Sequence, residues 1–261
     1  RWSAMTGAGN GIVLVTGPTG SGKTTTLYAT MRQLATPAVN VCTIEDPIEM
    51  VEEAFNQMQV NHAIELDFSS GVRTLLRQDP DIIMVGEIRD LETAHMAIQA
   101  ALTGHLVLST LHTNDSPSSV SRLLELGAPP YLVKATLRGI MSQRLVRILC
   151  VHCKRRVATD PDGWRELVQP YDFPMPAHSY EAVGCRQCRD TGYSGRRGIY
   201  EVLLNSPALQ EAIVSDIDTR RLRDIARSEG MQPLRLSGAA RVAGGDTTVE
   251  EVLRVTPVSG D

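Results

Sequence analysis

Two residue spacings in this chain are those of sites that hold charged groups. The first is Gly17-Pro18-Thr19-Gly20-Ser21-Gly22-Lys23-Thr24, followed by Thr25, which fits G-x-x-x-x-G-K-[ST]. Glycines there let successive backbone amides turn toward phosphate oxygens. Lys23 bridges the terminal phosphates of a nucleotide such as ATP, and the Thr24 hydroxyl is placed to ligate Mg2+. A helix beginning near Gly22 adds the positive end of its dipole. The second is a repeated C-x-x-C, Cys150-Val151-His152-Cys153 and Cys185-Arg186-Gln187-Cys188. Each pair presents two thiolates on one tight turn, and two such turns close a tetrahedral Zn2+ site with no position open to water, which makes it structural. The pairs lie further apart than in a compact zinc ribbon, so a proline-rich insertion must loop out between them. His152 is a possible ligand that four cysteines leave redundant. Cys42, on an apolar strand, reads as a small core residue. Two disulfides are the competing reading, but the sequence gives no sign of an oxidising compartment.

Hydrolysis of a bound triphosphate also needs carboxylates to hold the metal and orient water, and short apolar runs carry them. Asp81-Ile82-Ile83-Met84-Val85-Gly86-Glu87 reads as a buried strand that delivers Glu87. Thr43-Ile44-Glu45-Asp46-Pro47 delivers Glu45 and Asp46 the same way, and Leu108-Ser109-Thr110-Leu111-His112 delivers His112. Ligands in open α/β sheets bind at the carboxyl ends of the strands, so all three ends converge on the edge that carries the phosphate loop. Taken singly, such residues also serve as helix caps or solvated loop charges; together they point to function, with His112 sensing or stabilising the terminal phosphate. His62, His95, His105 and His178 have no such context and read as structural or surface residues.

The elements that position these groups follow an α/β pattern from Gly11 to about Leu149. Strands are expected at Ile12 to Thr16, Asn40 to Glu45, Asn56 to Val60, Asp81 to Gly86 and His105 to Leu111. Ser69 or Ser70 is expected to cap a helix through Val72, Leu75 and Leu76. Asp90 begins a helix ending near Gly104, and Ser116-Pro117 opens one closing at Gly127. After Cys150, Pro161, Pro170, Pro174 and Pro176 punctuate a stretch with no clear period, which something other than a large core must hold. Beyond Ser206 the spacing of Leu209, Ile213, Leu222, Ile225 and Ala226 is helical again. The expected division is therefore a P-loop core over 1–149, a four-cysteine zinc module over 150–198 and a C-terminal helical subdomain over 199–261.

Of the 261 residues, 42% are hydrophobic, 21% charged and 4% aromatic, an ordinary globular composition. No apolar run approaches the roughly 18 residues of a membrane span. A net charge of −4 gives no general case for nucleic-acid binding. Charge is uneven, however: no Asp or Glu stands between Leu126 and Thr159, while Lys134, Arg138, Arg144, Arg147, Lys154, Arg155 and Arg156 do. That run reads as a solvated basic face or as cations that offset the formal charge of −2 on a four-thiolate zinc centre. Arg1 to Met5 lack both a start methionine and the profile of a secretory signal, and read as a cut within a longer chain.

Several motifs in order resemble those of one family. Gly17 to Thr25, Thr43-Ile44-Glu45-Asp46-Pro47-Ile48-Glu49, Leu75 through Asp90 with Gly86-Glu87-Ile88-Arg89-Asp90, and Ser109-Thr110-Leu111-His112-Thr113-Asn114 resemble successive signatures of the type II secretion and type IV pilus assembly ATPases. With the cysteine pairs and Thr191 to Glu201, the likeness covers nearly the whole chain and fits the GspE/PulE type best. The resemblance implies a RecA-like P-loop sheet with helices on both faces. It also implies a Mg2+-dependent ATP hydrolase in which Glu45 activates water, Glu87 acts at magnesium, His112 is the histidine-box residue, and Arg73 and Arg77 lie near the nucleotide. On helical spacing alone, Arg73 and Arg77 are equally the exposed face of their helix. Family members work as cytoplasmic homo-hexamers docked on inner-membrane platform proteins of a secretion or pilus machine, so type II secretion is the expected role and type IV pilus extension the alternative. A further domain precedes the phosphate loop in the family and completes the nucleotide pocket. A RecA-like nucleic-acid translocase shares the sheet, but the sequence shows neither aromatic stacking positions nor a basic surface.

Overall fold

The computed structural model describes residues 1–256. Helices and strands are interleaved from the start: α1 (Trp2–Thr6), β1 (Gly11–Thr16), α2 (Lys23–Leu34), β2 (Val41–Glu45), β3 (Asn56–Gln59), α3 (Phe68–Leu75), β4 (Ile82–Val85), α4 (Leu91–Leu102), β5 (Leu106–Leu111), α5 (Ser116–Glu125) and α6 (Pro130–Thr136). The remainder is β6 (Leu137–Leu149), β7 (Arg155–Ala158), α7 (Pro161–Val168), β8 (His178–Glu181), β9 (Tyr193–Leu204), α8 (Pro207–Ala212), α9 (Thr219–Ser228), α10 (Leu234–Ala243) and α11 (Val249–Val255). The chain forms two compact units, neither of them one continuous stretch. The first comprises Arg1–Thr19, Lys23–Ser142 and Val202–Met231, and the second Gly20–Gly22, Gln143–Glu201 and Gln232–Asp261.

In the first unit the sheet runs in the order β3-β2-β4-β5-β1-β6-β9, with β1 parallel to β5 and β6, β2 parallel to β3 and β4, and β4 parallel to β5. Parallel strands covered on both faces carry apolar side chains at every position rather than at alternate ones. That is why Ile12-Val13-Leu14-Val15 and Ile82-Ile83-Met84-Val85 are buried throughout. The two faces still divide them by period two. Ile12, Leu14, Ile83 and Val85 pack with Val72, Ala97 and Val120 on one side, and Val13, Val15 and Met84 pack with Leu27, Tyr28 and Met31 on the other. At one end of the sheet β3 departs: its sequence Asn56-Gln57-Met58-Gln59 is mostly polar because it is a sheet edge.

Aspartates start the helices that return the chain. Asp90 accepts from Thr93 N at 2.8 Å and Asp115 from Ser118 N at 2.7 Å. For α3 the cap is Asp67, not Ser69 or Ser70: Asp67 accepts from Ser70 N, and Ser70 Oγ answers by accepting from Asp67 N at 2.9 Å. A carboxylate with a hydroxyl three residues on makes a reciprocal capping box, which outcompetes a lone serine.

The second unit corrects the expectation that the proline-punctuated stretch lacks a core. Trp164, Leu167 and Val168 from α7 bury against Val146, Ile199, Leu234, Ala239, Val242 and Val252. Here β7 and β8, with α7 between them in sequence, form an antiparallel pair in which Arg155 stands opposite Glu181. Gly238 lets α10 and α11 approach so closely that a Cβ there would stand 2.2 Å from Val252 Cγ1. Among the described residues no helix is long and apolar enough to cross a membrane.

Candidate nucleotide site and metal centre

Because β1, β2, β4 and β5 are parallel and in register, their carboxyl ends form one edge, and every carboxylate expected from the sequence lies there. Thr16 of β1 pairs with Leu111 of β5, and Ile44 of β2 with Val85 of β4. Side chains tie the ends together: Ser109 Oγ donates to Val85 O and Thr110 Oγ1 to Gly86 O, each at 2.7 Å. After β1 the loop turns with positive φ at Gly17, Gly20 and Gly22, conformations that side chains resist. It then enters α2 at Lys23, whose ammonium donates to Gly17 O at 2.8 Å and Pro18 O at 3.2 Å. At Gly22 a Cβ would also stand 2.8 Å from Gln143 Nε2, which donates to Ser21 O at 2.7 Å. The hydroxyls of Thr16 and Ser21 are buried without a hydrogen-bond partner in the described structure. Glycine turns, a lysine and unpaired hydroxyls at a helix start fit a phosphate chain with its magnesium, and Pro18, Thr19, Thr24 and Thr25 complete the stretch.

Glu87, Arg89 and His112 meet at this edge. Glu87 is paired to Arg89, and its other oxygen lies 3.5 Å from His112 Nε2. Burial holds the His112 imidazole below the usual histidine range, the Lys23 charge pushes the same way, and Glu87 opposes both. The neutral ring is therefore the form present at neutral pH. Arg89 is held above its ordinary value by the bond to Glu87, with the Asp46 charge adding to it. Glu45 is 3% exposed. Its Oε1 accepts from Thr43 Oγ1 at 2.6 Å and Gln57 Nε2 at 3.2 Å, and its Oε2 from Tyr28 Oη at 2.7 Å. Sequence reasoning missed Tyr28 and Gln57. Only the period of α2, which sets Tyr28 on its buried face beside Leu27 and Met31, pointed toward the first.

Arg73 and Arg77 do not join this cluster. They line a cleft of about 670 Å3 between α3 and α4, with Leu76, Glu92, His95 and Gln99. His105 is structural as expected, its Nδ1 2.8 Å from Ala100 O, and Cys42 is fully buried in the core.

In the second unit, Cys150, Cys153, Cys185 and Cys188 bring their sulfurs within 4.8 Å of one another. Cys150 and Cys185 are 4.0 Å apart, and Cys153–Cys188 and Cys185–Cys188 are each 3.8 Å apart. A disulfide needs about 2.05 Å. Burial disfavours ionisation at Cys188, but the amides of Cys185 and Gly192 and the neighbouring thiols outweigh it and bring the group down to about 6. Burial pushes Cys153 up to about 12. One thiolate among hydrogen-bonded thiols is a set ready to ionise around a cation, and four soft donors within 4.8 Å of one another fit zinc. The nearby cations have partners of their own: Lys154 lies over the Tyr180 ring at 4.5 Å and Arg155 pairs with Glu181.

A phosphate loop, two carboxylate strand ends and a histidine on one edge, with a four-cysteine cluster downstream, are matched by one family profile, that of type II/IV secretion system proteins, over residues 3–254. This chain belongs to that family. It is 59% identical over 259 residues to the type IV pilus assembly ATPase TfpB of Acinetobacter baylyi, covering 99% of this chain and 44% of TfpB. It is 49% identical to the type II secretion system protein HxcR of Pseudomonas aeruginosa, covering 95% of this chain and 49% of HxcR. Among solved structures it resembles the pilus retraction motor PilT with bound ADP, with a TM-score of 0.70 and 28% identity, covering 97% of this chain and 63% of PilT. It also resembles the ATPase DotB of Legionella pneumophila, with a TM-score of 0.69 and 26% identity over 96% of this chain and 61% of DotB. The expected RecA-like α/β fold is thus established. The chain spans about half the length of the relatives it matches.

Proposed function

We propose that this chain is the nucleotide-hydrolysing part of a motor for type II secretion or type IV pilus assembly. The observation that carries the reading is the single sheet edge on which the phosphate loop, Glu45, Glu87 and His112 stand. Gly17–Thr25 bind the triphosphate, Lys23 bridges its terminal phosphates, and Thr24 and Glu87 hold the magnesium, which when bound neutralises charge on the phosphoryl oxygens. Glu45 takes a proton from the attacking water, and neutral His112 donates a hydrogen bond near the terminal phosphate. Positioned general bases contribute roughly 10² to 10⁴ in rate. The 59% identity to a pilus assembly ATPase favours pilus extension as the second reading. Zinc in the four-cysteine cluster is structural.

In the same reading the whole protein is a cytoplasmic homo-hexamer docked through platform proteins on the inner membrane, and Arg73 and Arg77 act on nucleotide once copies assemble. Their place in a cleft that Glu45, Glu87 and His112 do not line supports a role completed by another domain or subunit. Phosphate release by the chain over a range of protein concentrations tests this. Magnesium-dependent hydrolysis per chain should rise with concentration, and Arg73→Ala with Arg77→Ala should flatten the rise. A fast rate that stays constant down to nanomolar dilution would contradict assembly, and hydrolysis without magnesium would contradict the site.

A further inference from the structure

The side chains behind Glu45 are bonded in a way that a packing role does not need. Thr43 and Glu45 are two residues apart on β2 and face the same side. Gln57 stands opposite Thr43 in the parallel register with β3. Tyr28 arrives from α2, the helix that begins at the phosphate loop, and is fully buried. Its hydroxyl has one hydrogen and two acceptors within reach, Glu45 Oε2 at 2.7 Å and Met50 O at 3.0 Å. Gln57 fixes the surroundings. Its Oε1 accepts from Glu52 N at 2.8 Å, so its amide nitrogen must point the other way, where its two hydrogens face three acceptors, Tyr28 Oη at 2.8 Å, Met50 O at 2.9 Å and, more distant, Glu45 Oε1 at 3.2 Å, which Thr43 Oγ1 already serves at 2.6 Å.

Counting donors and acceptors gives two fully bonded states. With Glu45 ionised, Tyr28 donates to Glu45 Oε2, Gln57 donates to Tyr28 Oη, and Met50 O is served by Gln57. With Glu45 protonated on Oε2, the carboxylic O–H donates to Tyr28 Oη, and the tyrosine hydrogen turns to Met50 O, which has a second lone pair. No buried group loses its partner in either state, although an unpaired buried polar group costs about 1 to 3 kcal/mol.

We propose that Tyr28, oriented by Gln57, is a positioning residue of the hydrolytic site whose hydroxyl turns from Glu45 to the Met50 carbonyl as Glu45 accepts a proton. The proposal rests on Glu45 as the water-activating carboxylate. In that step a water O–H bond breaks, its proton passes to Glu45 Oε2 and its oxygen bonds to the γ-phosphorus, while the bond to ADP breaks with its electron pair leaving on the ADP oxygen. Tyr28 keeps its own proton throughout. Burial, then the bond to Glu45 and its charge, hold the phenol far above its ordinary range, so it acts as a rotor and not as an acid.

The test compares the 261-residue chain with Tyr28→Phe, Gln57→Met and Glu45→Gln, measuring single-turnover hydrolysis against pH, affinity for a fluorescent ATP analogue, and thermal unfolding. A charge-assisted hydrogen bond is roughly twice as strong as a neutral one, so losing the tyrosine hydroxyl disfavours the ionised base more than the protonated one. Tyr28→Phe should lower saturated turnover about 10- to 100-fold, keep analogue affinity within about twofold, and move the acidic limb of the rate profile to higher pH. Gln57→Met should fall between it and the parent. Parental turnover and an unmoved acidic limb in Tyr28→Phe, with Glu45→Gln inactive, would overturn the rotor and leave Glu45 standing. A Glu45→Gln chain as fast as the parent, or a parent whose hydrolysis does not need Lys23, would overturn the underlying reading and the rotor with it. If Tyr28→Phe melts earlier but keeps the parent's pH profile, Tyr28 is a packing residue and the proposal fails.

Discussion

Metal occupancy of the four-cysteine cluster can be predicted from its distances. In a regular tetrahedron the centre lies at the edge length divided by about 1.63, so a Zn–S bond of about 2.3 Å asks for edges of about 3.8 Å; three sulfur separations are 3.8 to 4.0 Å and all lie within 4.8 Å, so an ion needs to draw the sulfurs only slightly together. Protein purified without added zinc is expected to carry one zinc per chain, and X-ray absorption should show four sulfurs at about 2.3 Å with no nitrogen or oxygen. Cys153→Ser with Cys188→Ser removes two of four thiolates and should empty the site, because apparent structural zinc affinities of roughly 10 to 16 kcal/mol rest on the complete set. The loss should stay local. The buried cluster around Trp164, Leu167, Ile199 and Val242 includes none of the four cysteines, so amides of the β7–β8 pair and of residues 185–192 should exchange rapidly while those of α7 and α10 stay protected. A folded, metal-free parent, or a metal shell containing His152, would refute the argument. Collapse of α7 and α10 along with the β7–β8 pair would show that the core around Trp164 depends on the ion.

Other consequences follow from single contacts. Glu87→Gln should keep analogue binding within a few fold and lower hydrolysis by at least about tenfold, since it keeps the side-chain volume while removing the charge offered to the metal; equal losses of binding and turnover in nucleotide titrations would argue against the assignment. Glu251 has no exposed side-chain surface. Burial raises it, but bonds from Arg254 and Arg147 outweigh burial and bring it from 4.5 to about 2. A depressed carboxylate stabilises above its unfolded value and loses that contribution as pH falls through the folded one. Denaturation of Glu251→Gln should therefore show a deficit of roughly 2 to 3 kcal/mol at pH 7, allowing for screening at the half-exposed arginines, that shrinks between pH 4.5 and about 2; a deficit independent of pH would contradict the pairing. Gly238→Ala should destabilise the second unit by about 1 to 3 kcal/mol in chemical denaturation because its Cβ overlaps Val252, and an unchanged midpoint would mean that α10 and α11 repack freely.

The sequence was most legible where one physical rule fixes both type and place. Uninterrupted apolar runs at residues 12–15, 82–85 and 106–108 could only be parallel strands covered on both faces, and parallel strands put Glu45, Glu87 and His112 on one edge. The long strand Leu137–Leu149 was hidden by its cations, which break the apolar pattern but are satisfied locally. Arg138 donates to Asn10 O, the buried Arg144 donates to Gln143 O, and Arg147 joins Glu251. The core around Trp164 was hidden because its apolar residues come from three separated stretches, so no window of sequence displays it. The period of α2 marked Tyr28 only as buried, and nothing marked Gln57, because hydrogen-bond direction is a property of three dimensions.

The central claim is that the loop from Gly17 to Thr25 binds a nucleotide with magnesium. Its most direct test is equilibrium titration of a fluorescent ATP analogue into the chain and into Lys23→Ala, with and without magnesium. The account predicts saturable binding at one site per chain that needs magnesium and is abolished by Lys23→Ala. A variant that binds as tightly as the parent, or a parent that binds equally well without magnesium, would contradict it.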